Sequence, residues 1–307
     1  MIGPSSPRSS SWGETNVEIA PWVHLSAAGI EIGVETPTGK ASNPLRALIS
    51  ACAVTWSVRE ILWVLVVKDF KARYRAQALG LFWSFAHPLV MMVTITIAFK
   101  YVLKVDIEDF QIFYLIGSVI WQFFSNSVLA TTGSMIDNAG LVKRTTFPRF
   151  LFPIAAVLSH LIHFGLEMLL VFAFFFIFPH AYVFTASLFA LPLLVLLLLV
   201  MLIGVGLTTS GLNVRYRDVY YLVTSTLTVA FWLTPVVFRI EMAPSWLRVI
   251  LRANPVAGVI EGARNIIMHG EWPRFSEIAP GALTGIIVFF VGCAVFRRQN
   301  LHIADYV

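Results

Sequence analysis

Six long apolar runs dominate this chain of 307 residues and determine the kind of fold it can adopt. A helix needs about 20 apolar residues to cross roughly 30 Å of hydrocarbon, and a helix satisfies its own backbone hydrogen bonds in lipid. The runs lie at approximately residues 80–103, 111–133, 150–178, 184–210, 219–238 and 277–296. They predict an all-α polytopic membrane protein with six transmembrane helices.

The composition supports this fold class. Hydrophobic residues make up 58% of the chain and charged residues only 13%, whereas soluble domains carry roughly 25% charged residues. The formal net charge of +5 does not indicate nucleic-acid binding, because Lys and Arg gather at the ends of apolar runs. Cys52 and Cys293 are far apart, so neither a disulfide framework nor a CxxC metal pair is predicted.

Charged residues between the runs predict the orientation. Basic residues follow the second, fourth and sixth runs, namely Lys143, Arg144, Arg149, Arg215, Arg217, Arg297 and Arg298. The loop after the first run is acidic, with Asp106, Glu108 and Asp109. Because cytoplasmic loops are enriched in Lys and Arg, the basic loops and both termini are predicted to be cytoplasmic. The connection 239–274 is an exception, since it is rich in Arg yet falls outside by count.

The chain before the first run has two parts. Residues 1–50 are rich in Ser, Pro and Gly without periodicity, and they predict a poorly ordered cytoplasmic arm ahead of a transmembrane domain at 51–307. Within residues 57–75, apolar side chains recur every four residues from Leu62 to Tyr74, and Lys68, Lys71 and Arg75 fall on another face. This pattern predicts an amphipathic helix in the cytoplasmic interface. A seventh span is the alternative, but its cations would cost about 2.5–3.5 kcal/mol each to bury.

The outer connection before the last run contains two short predicted helices, near 244–252 and 255–269. Pro244 and Pro255 suit the first position of a helix, and Asn254 is a favourable N-cap. Glu261 and Arg264 are spaced to pair on the face opposite an apolar stripe. The two helices are too short to span, so they predict a re-entrant hairpin in the outer leaflet that serves as a mouth or gate.

The chain lacks the common motifs of nucleotide binding and hydrolysis. It contains no G-x-x-x-x-G-K-[ST] loop, no G-x-S-x-G elbow and no H-E-x-x-H pair. The energy for any transport must therefore come from a partner. The short basic loop at 141–153, between two apolar runs, is the predicted contact surface for that partner.

Three ionisable residues inside the third run, His160, His163 and Glu167, recur at i, i+3 and i+7 on one helical face. Such groups are costly in a membrane and tend to mark function. A wet channel lining or a hydrogen-bonded cluster between helices is the favoured interpretation. A proton relay is the second, and a metal site is the third because a fourth ligand is missing.

Aromatic residues Tyr114, Trp121 and Phe124 fall near one face of the second run. Interfacial aromatic belts explain many such residues. The alternative is a stacking surface in a channel, where ring faces pass a sugar along by weak repeated contacts.

Four segments, in order, resemble the permease subunits of ABC-2-type polysaccharide exporters, a group that includes O-antigen, teichoic-acid and capsule exporters. They are KDFKARYRAQALGLFW at 68–83, LVKRTTFPR at 141–149, NVRYRDV at 213–219 and NPVAGVIEGAR at 254–264. The resemblance implies a homodimer of this chain with two copies of a separate subunit that binds ATP and Mg²⁺. It also implies export of a polyprenyl-pyrophosphate-linked glycan across the bacterial inner membrane. No cofactor or metal is expected in the chain itself.

The resemblance assigns roles by position. Contacts to the ATPase are implied for Asp137, Leu141, Lys143, Arg144, Phe147, Pro148, Arg149, Arg215 and Asp218. Cations at the cargo entrance, where they suit a pyrophosphate, are implied for Lys68, Lys71, Arg73 and Arg75. The exit would be closed by the outer hairpin, with Pro244, Trp246, Pro255, Glu261 and Arg264. The channel would be lined by the three aromatic and three ionisable residues named above.

Three other functions remain as alternatives. An ABC-2 exporter of drugs or lipids would share the architecture and differ in cargo. An ion-coupled secondary transporter would show internal inverted repeats and depend on His160 or Glu167, and no convincing repeat is visible. A membrane-embedded glycosyltransferase would need an acidic metal site in a cytoplasmic loop, where Asp137 and Asp218 each stand alone.

Overall fold

Long apolar helices make up most of the described chain. The computed structural model describes residues 23–26, 29–32, 59–74, 82–144 and 148–300. Among these residues, five helices are long and apolar enough to cross a membrane. The all-α polytopic fold class is therefore confirmed.

The helices follow one another with short connections. In chain order they are α1 (Arg59–Tyr74), α2 (Phe82–Thr96), α3 (Phe110–Asp137), α4 (Ala139–Arg144), α5 (Leu151–Ala173), α6 (Leu191–Arg215), α7 (Val219–Leu233), α8 (Ser245–Ala253), α9 (Pro255–Arg264) and α10 (Phe275–Asn300). Wider π turns extend α2 and α9 over Ile97–Val102 and Asn265–His269. Single 3₁₀ turns lie at Phe174–Phe176, Pro179–Ala181, Ala186–Ala190 and Ile240–Met242.

The N-terminal arm contributes a short hairpin of two antiparallel strands, β1 (Val23–Ser26) and β2 (Gly29–Ile32), with Val23 opposite Ile32. The rest of the predicted arm at 1–50 lies outside the described residues. Its predicted lack of order therefore stays a prediction.

Five of the six predicted spans coincide with the long helices, and the fifth span is the one that differs. Its residues 219–238 give α7, a helix of only 15 residues, which is about 23 Å long. The helix ends because Thr234 precedes Pro235, and a residue before proline is disfavoured in the helical conformation. Thr234 accordingly adopts an extended conformation with ψ of 143°. The number of spans stays a prediction.

Helix α3 is the centre of the bundle. In its most apolar stretch 78% of the residues are buried, compared with 17% in α10. It packs against α2, α5, α6, α7 and α9. Side chains on α3 therefore meet most of the other helices.

The predicted interface helix is present as α1. Its residues Leu65 and Val66 belong to one apolar cluster with Leu151 and Phe152 at the start of α5. At its other end Tyr74 reaches a residue three turns further along α5, so α1 runs alongside that helix. Its depth in a bilayer stays a prediction.

The two short helices predicted before the last span are present as α8 and α9, and their place in the outer leaflet stays a prediction. Asn254 caps α9 as expected, since its Oδ1 accepts a hydrogen bond from the Val256 amide at 3.0 Å. Pro255 is the first residue of α9, whereas Pro244 lies just before α8 rather than inside it.

Helices α6 and α10 approach each other closely at two glycines, Gly204 and Gly292. A Cβ atom on Gly204 would lie 2.7 Å from the carbonyl oxygen of Val288 and would overlap the Cα of Phe289. Small residues allow such close approach of helix backbones in membranes. The packing of the last span on α6 thus depends on these glycines.

We expect Gly204→Ala to lower the midpoint of thermal unfolding in detergent, because the new methyl group would push α10 away from α6. Overpacking of this kind costs about 1–3 kcal/mol. Gly165→Ala on α5 is the matched control, since no atom lies within 4 Å of its added Cβ. If both variants melted at the same temperature as the parent, the close packing at Gly204 would be wrong.

Candidate functional site

An open groove with a volume of about 440 Å³ lies between α2, α3 and α7. Its described lining residues are His87, Met91, Tyr114, Ser118, Trp121, Gln122, Ser125, Asn126 and Phe231. We call it the α3 groove, because six of these residues lie on α3. Ser118, Gln122 and Ser125 follow at i, i+4 and i+7 and therefore share one face of that helix. A row of hydroxyl and amide groups thus runs along the groove.

Aromatic rings form another part of its wall. The ring of Trp121 meets that of Phe231 edge-on at 5.9 Å between centroids. Behind it, Phe124 packs against the same indole at 5.5 Å but does not line the groove. Of the three aromatic residues predicted to line a channel, the structure therefore places Tyr114 and Trp121 in the groove. Their role in transport stays a prediction.

The groove suits a neutral, hydroxyl-rich ligand. Its described lining contains no Asp, Glu, Lys or Arg. Hydroxyl and amide side chains both donate and accept hydrogen bonds, and ring faces stack on apolar faces of a ligand. Such a surface can contact a sugar without holding it by charge.

A buried hydrogen-bonded chain of side chains joins α1, α2 and α5. The Tyr74 hydroxyl lies 2.6 Å from His163 Nδ1 and 3.0 Å from the Ser84 hydroxyl. His163 Nε2 lies 3.2 Å from Glu167 Oε1. Both ring nitrogens of His163 are therefore engaged by protein groups.

The predicted face of His160, His163 and Glu167 is divided between two sets of partners. His160 turns to Arg73 on α1, and its Nδ1 lies 2.9 Å from the Ala156 carbonyl oxygen. None of the three residues lines the α3 groove. Within the part of the chain that the structure describes, no group of three His, Cys, Asp or Glu residues could hold a metal ion.

The cations predicted for the cargo entrance also have different surroundings. Lys68 contacts Asn138 and lies 3.4 Å from Asp69, while Lys71 is exposed and Arg73 is half-buried. Burial lowers the pKa of Arg73. It raises the pKa of Asp69, against the opposing effect of Lys68. The remaining predicted residue, Arg75, lies outside the described residues.

The residues predicted to contact an ATPase lie at one end of the molecule. Leu141 and Lys143 are exposed on α4, and Arg215 and Asp218 are exposed in the turn between α6 and α7. Asp137, at the end of α3, is also exposed, whereas Pro148 and Arg149 are half-buried. Phe147 and the side chain of Arg144 lie outside the described residues.

Asn213, the first residue of the segment 213–219 that carries the resemblance, positions this end. Asn213 is buried, its Nδ2 donates to the Thr132 carbonyl oxygen at 2.9 Å, and its Oδ1 accepts from the Tyr220 amide at 3.2 Å. It thereby fixes the turn at 215–218 next to the end of α3. The signal for it was an amide residue at the end of an apolar run.

At the opposite end, the guanidinium of Arg264 lies in the interior with only 2% of the residue exposed. It donates hydrogen bonds to the carbonyl oxygens of Phe113, Pro235 and Val236 at 3.1, 2.7 and 2.7 Å. It also lies 2.9 Å from Glu261 Oε1, and its Cζ atom is 3.4 Å from the ring centroid of Phe113. Gly117 leaves the space for it, since a Cβ there would collide with Nη2.

The residues predicted for an exit gate therefore differ in their burial. The predicted Glu261–Arg264 pair forms, but it faces the interior rather than a polar outer surface, because the carbonyls that bind Arg264 come from α3 and the chain after α7. Pro255 is buried as well. Pro244 and Trp246 are instead exposed at α8, with Trp246 66% exposed.

Taken together, apolar helices around a polar groove, without a nucleotide-binding motif, define a multi-pass membrane protein of the transport type. Residues 60–268 match the ABC-2 type transporter family. The match covers more than half of the chain, and the chain belongs to that family.

Curated relatives cover nearly all of the same region. Two proteins named O-antigen export system permease protein RfbA, from Klebsiella pneumoniae, are 30% and 29% identical over 249 residues, which is 80% of this chain and 94% of each relative. A protein of the same name from Myxococcus xanthus is 24% identical over 256 residues, covering 82% of this chain and 97% of the relative.

We expect Arg264→Met to be strongly destabilising, by about 3–5 kcal/mol, because it leaves the partners of a buried charged group unsatisfied. Thermal unfolding in detergent, followed by intrinsic tryptophan fluorescence, measures the effect. Arg274→Met is the control, since that side chain is 65% exposed and its ion pairs with Glu271 and Glu277 are long and worth little. Equal stability of the two variants would show that Arg264 does not hold the outer end together.

Proposed function

We propose that this chain is the membrane permease of an exporter that moves a lipid-linked polysaccharide outward, powered by ATP hydrolysis on a separate subunit. Membership of the ABC-2 type transporter family supports the transport role. The names of the relatives support the choice of cargo. The observation on this chain that carries the proposal is the α3 groove, with its row of hydroxyl and amide groups beside Trp121.

A glycan needs weak contacts that repeat. Stacking on an aromatic ring contributes to carbohydrate binding through the apolar faces of the sugar, while amides exchange hydrogen bonds with its hydroxyls. Gln122 and Asn126 supply both donors and acceptors one turn apart on α3. Because no described charged side chain lines the groove, a neutral polymer can slide along it without being trapped.

A single copy leaves the groove open on one side, so a closed channel requires a second surface. Helix α7 borders the groove, and none of its 15 residues is buried. Tyr221 and Leu222 are 72% and 65% exposed on it, and Trp232 is 55% exposed. A second copy of this chain packed near α7 would cover these side chains and close the channel as a homodimer. With one ATP-binding subunit on each copy, the exporter would contain two of them.

The partner would contact α4 and the turn at 215–218. Helix α4 follows α3 directly, because the Asn138 carbonyl accepts hydrogen bonds from the amides of Leu141 and Val142 at 2.9 and 3.0 Å. A displacement of α4 by the partner would therefore reach α3 and the groove without a flexible linker in between. ATP and Mg²⁺ would be bound by the partner, and both termini would lie on its side, in the cytoplasm.

The two ends of the path would have different chemistry. The exposed Lys71 of α1 would face the pyrophosphate of the carrier at the cytoplasmic entrance. At the outer end of the path across the inner membrane, α8 with its exposed Trp246 would be the part of the hairpin that moves. Helix α9 would stay in place, because Arg264 ties it to α3.

Co-purification tests the partner contact. We expect the tagged chain, extracted in mild detergent, to bring down a soluble ATPase in equal amount, and we expect Lys143→Glu to reduce the recovered ATPase several-fold. The reversed charge would lie on the exposed surface of α4. Mass spectrometry identifies the partner and its stoichiometry.

Lys104→Glu is the matched control, because it makes the same change of charge at an exposed site before the opposite end of α3. It should retain the partner fully. Recovery of the chain alone, or equal loss of ATPase from both variants, would contradict the proposed coupling surface.

A further inference from the structure

A second cavity, with a volume of about 470 Å³, lies between α1, α3 and α5 near the basic-loop end of the bundle. It is separate from the α3 groove and shares no lining residue with it. Its polar lining includes Lys68, Asp69, Arg73, Asp137, Ser159 and His160. We call it the α1 cavity. Small residues such as Ala72, Ala130 and Ala156 form part of its wall.

Two opposite charges in this cavity, on Arg73 and Asp137, form no close ion pair among the described residues, although Glu167 and Asp69 lie near the first and Lys68 lies near the second. Arg73 is half-buried, and its hydrogen bonds go to the imidazole of His160 rather than to a carboxylate. The buried carboxylate of Glu167 bonds His163 instead. Asp137 forms no ion pair with any described cation, while Lys68 and Asp69 pair with each other. Arg73 is partly buried, and a partly buried charge without a close counter-ion is costly, so a ligand that supplies one would be held.

A buried hydroxyl gives an independent indication of a missing polar ligand. Ser159 is 2% exposed and lines the cavity, yet its Oγ has no hydrogen-bond partner within the described part of the chain. Buried polar groups are nearly always hydrogen-bonded, to protein, water or ligand.

The two unpaired charges lie at different depths. Arg73 meets His160, which is nine residues into α5, or about 13 Å from its start. Asp137 is the last residue of α3. The cation therefore lies toward the apolar middle of the bundle and the carboxylate toward its end.

A phospholipid with an amine in its head group has the same order of charges. Its phosphate lies next to the glycerol and the acyl chains, and its ammonium lies outward. We propose that the α1 cavity binds the head group of an aminophospholipid such as phosphatidylethanolamine, with the phosphate at Arg73 and the ammonium at Asp137. The lipid then bridges α1 to α3 and α5.

The charges of the head group distinguish an aminophospholipid from other lipids that could reach the same cavity. A diphosphate carrier brings only negative charge, which suits Lys68 and Arg73 but places like charges against Asp69 and Asp137. Phosphatidylglycerol has no cation for Asp137. Phosphatidylcholine has a cation, but its quaternary ammonium cannot donate a hydrogen bond to the carboxylate. This inference does not rest on the proposed export function.

Native mass spectrometry of the delipidated chain in detergent tests it. The protein is titrated with phosphatidylethanolamine, phosphatidylcholine and phosphatidylglycerol that carry the same acyl chains. We expect phosphatidylethanolamine to bind about tenfold more tightly than the other two, in line with a charge-assisted hydrogen bond. Arg73→Gln should weaken its binding by a similar factor.

Asp137→Asn distinguishes the proposed orientation from unspecific lipid binding. It should abolish the preference for phosphatidylethanolamine without weakening phosphatidylglycerol, and folding should be retained because Asp137 is exposed. Glu60→Gln, an exposed change on the same α1, is the control and should keep the preference.

Three outcomes would overturn the proposal. The first is equal binding of the three lipids by the parent chain. The second is an unchanged preference in Asp137→Asn. The third is tighter binding of farnesyl diphosphate than of phosphatidylethanolamine, strengthened further by Asp137→Asn, which would assign the cavity to a diphosphate. Each can occur while the ATPase still co-purifies, so failure here is distinguishable from failure of the export proposal.

Discussion

The buried guanidinium of Arg264 is the interaction on which the half of the bundle opposite α4 depends. Pro235 ends α7 early and leaves backbone carbonyls at 235 and 236 without helical partners. Arg264 donates to both of them and to the carbonyl of Phe113 on α3. One side chain thus joins the outer hairpin, the start of the central helix and the end of α7. The cost of burying its charge is offset by Glu261, by these carbonyls and by the ring of Phe113.

Buried polar side chains also join helices at the opposite end. Tyr74 and His163 bond each other between α1 and α5, Glu167 Oε1 bonds His163, and Asn213 ties the turn after α6 to α3. Buried polar groups in an apolar chain therefore act mainly as ties between helices. The α3 groove is different, because Gln122, Ser125 and Asn126 are only partly buried and face open space. That contrast separates the groove from the structural polar groups around it.

Local sequence patterns predicted the helices well, but they predicted poorly which groups each buried side chain contacts. Run length located the long helices, and Asn254 with Pro255 marked the start of α9, because these signals act within a few residues. The spacing of Glu261 and Arg264 predicted their pair, but it fits a surface pair equally well, and burial depends on carbonyls 28 to 151 residues away. Likewise, the spacing of His160 and His163 predicted that they share a helical face. It could not predict that they contact different residues of α1, because tertiary packing sets those contacts.

The central claim is that a glycan passes along the α3 groove, and photo-crosslinking during export tests it most directly. A benzophenone amino acid is placed at Gln122, and separately at Leu169, which is 64% exposed on α5 away from the groove. Irradiated cells are then probed for glycan covalently attached to the chain. The account predicts a glycan adduct at position 122 and none at 169. Active export without an adduct at 122, or equal labelling at both positions, would contradict it.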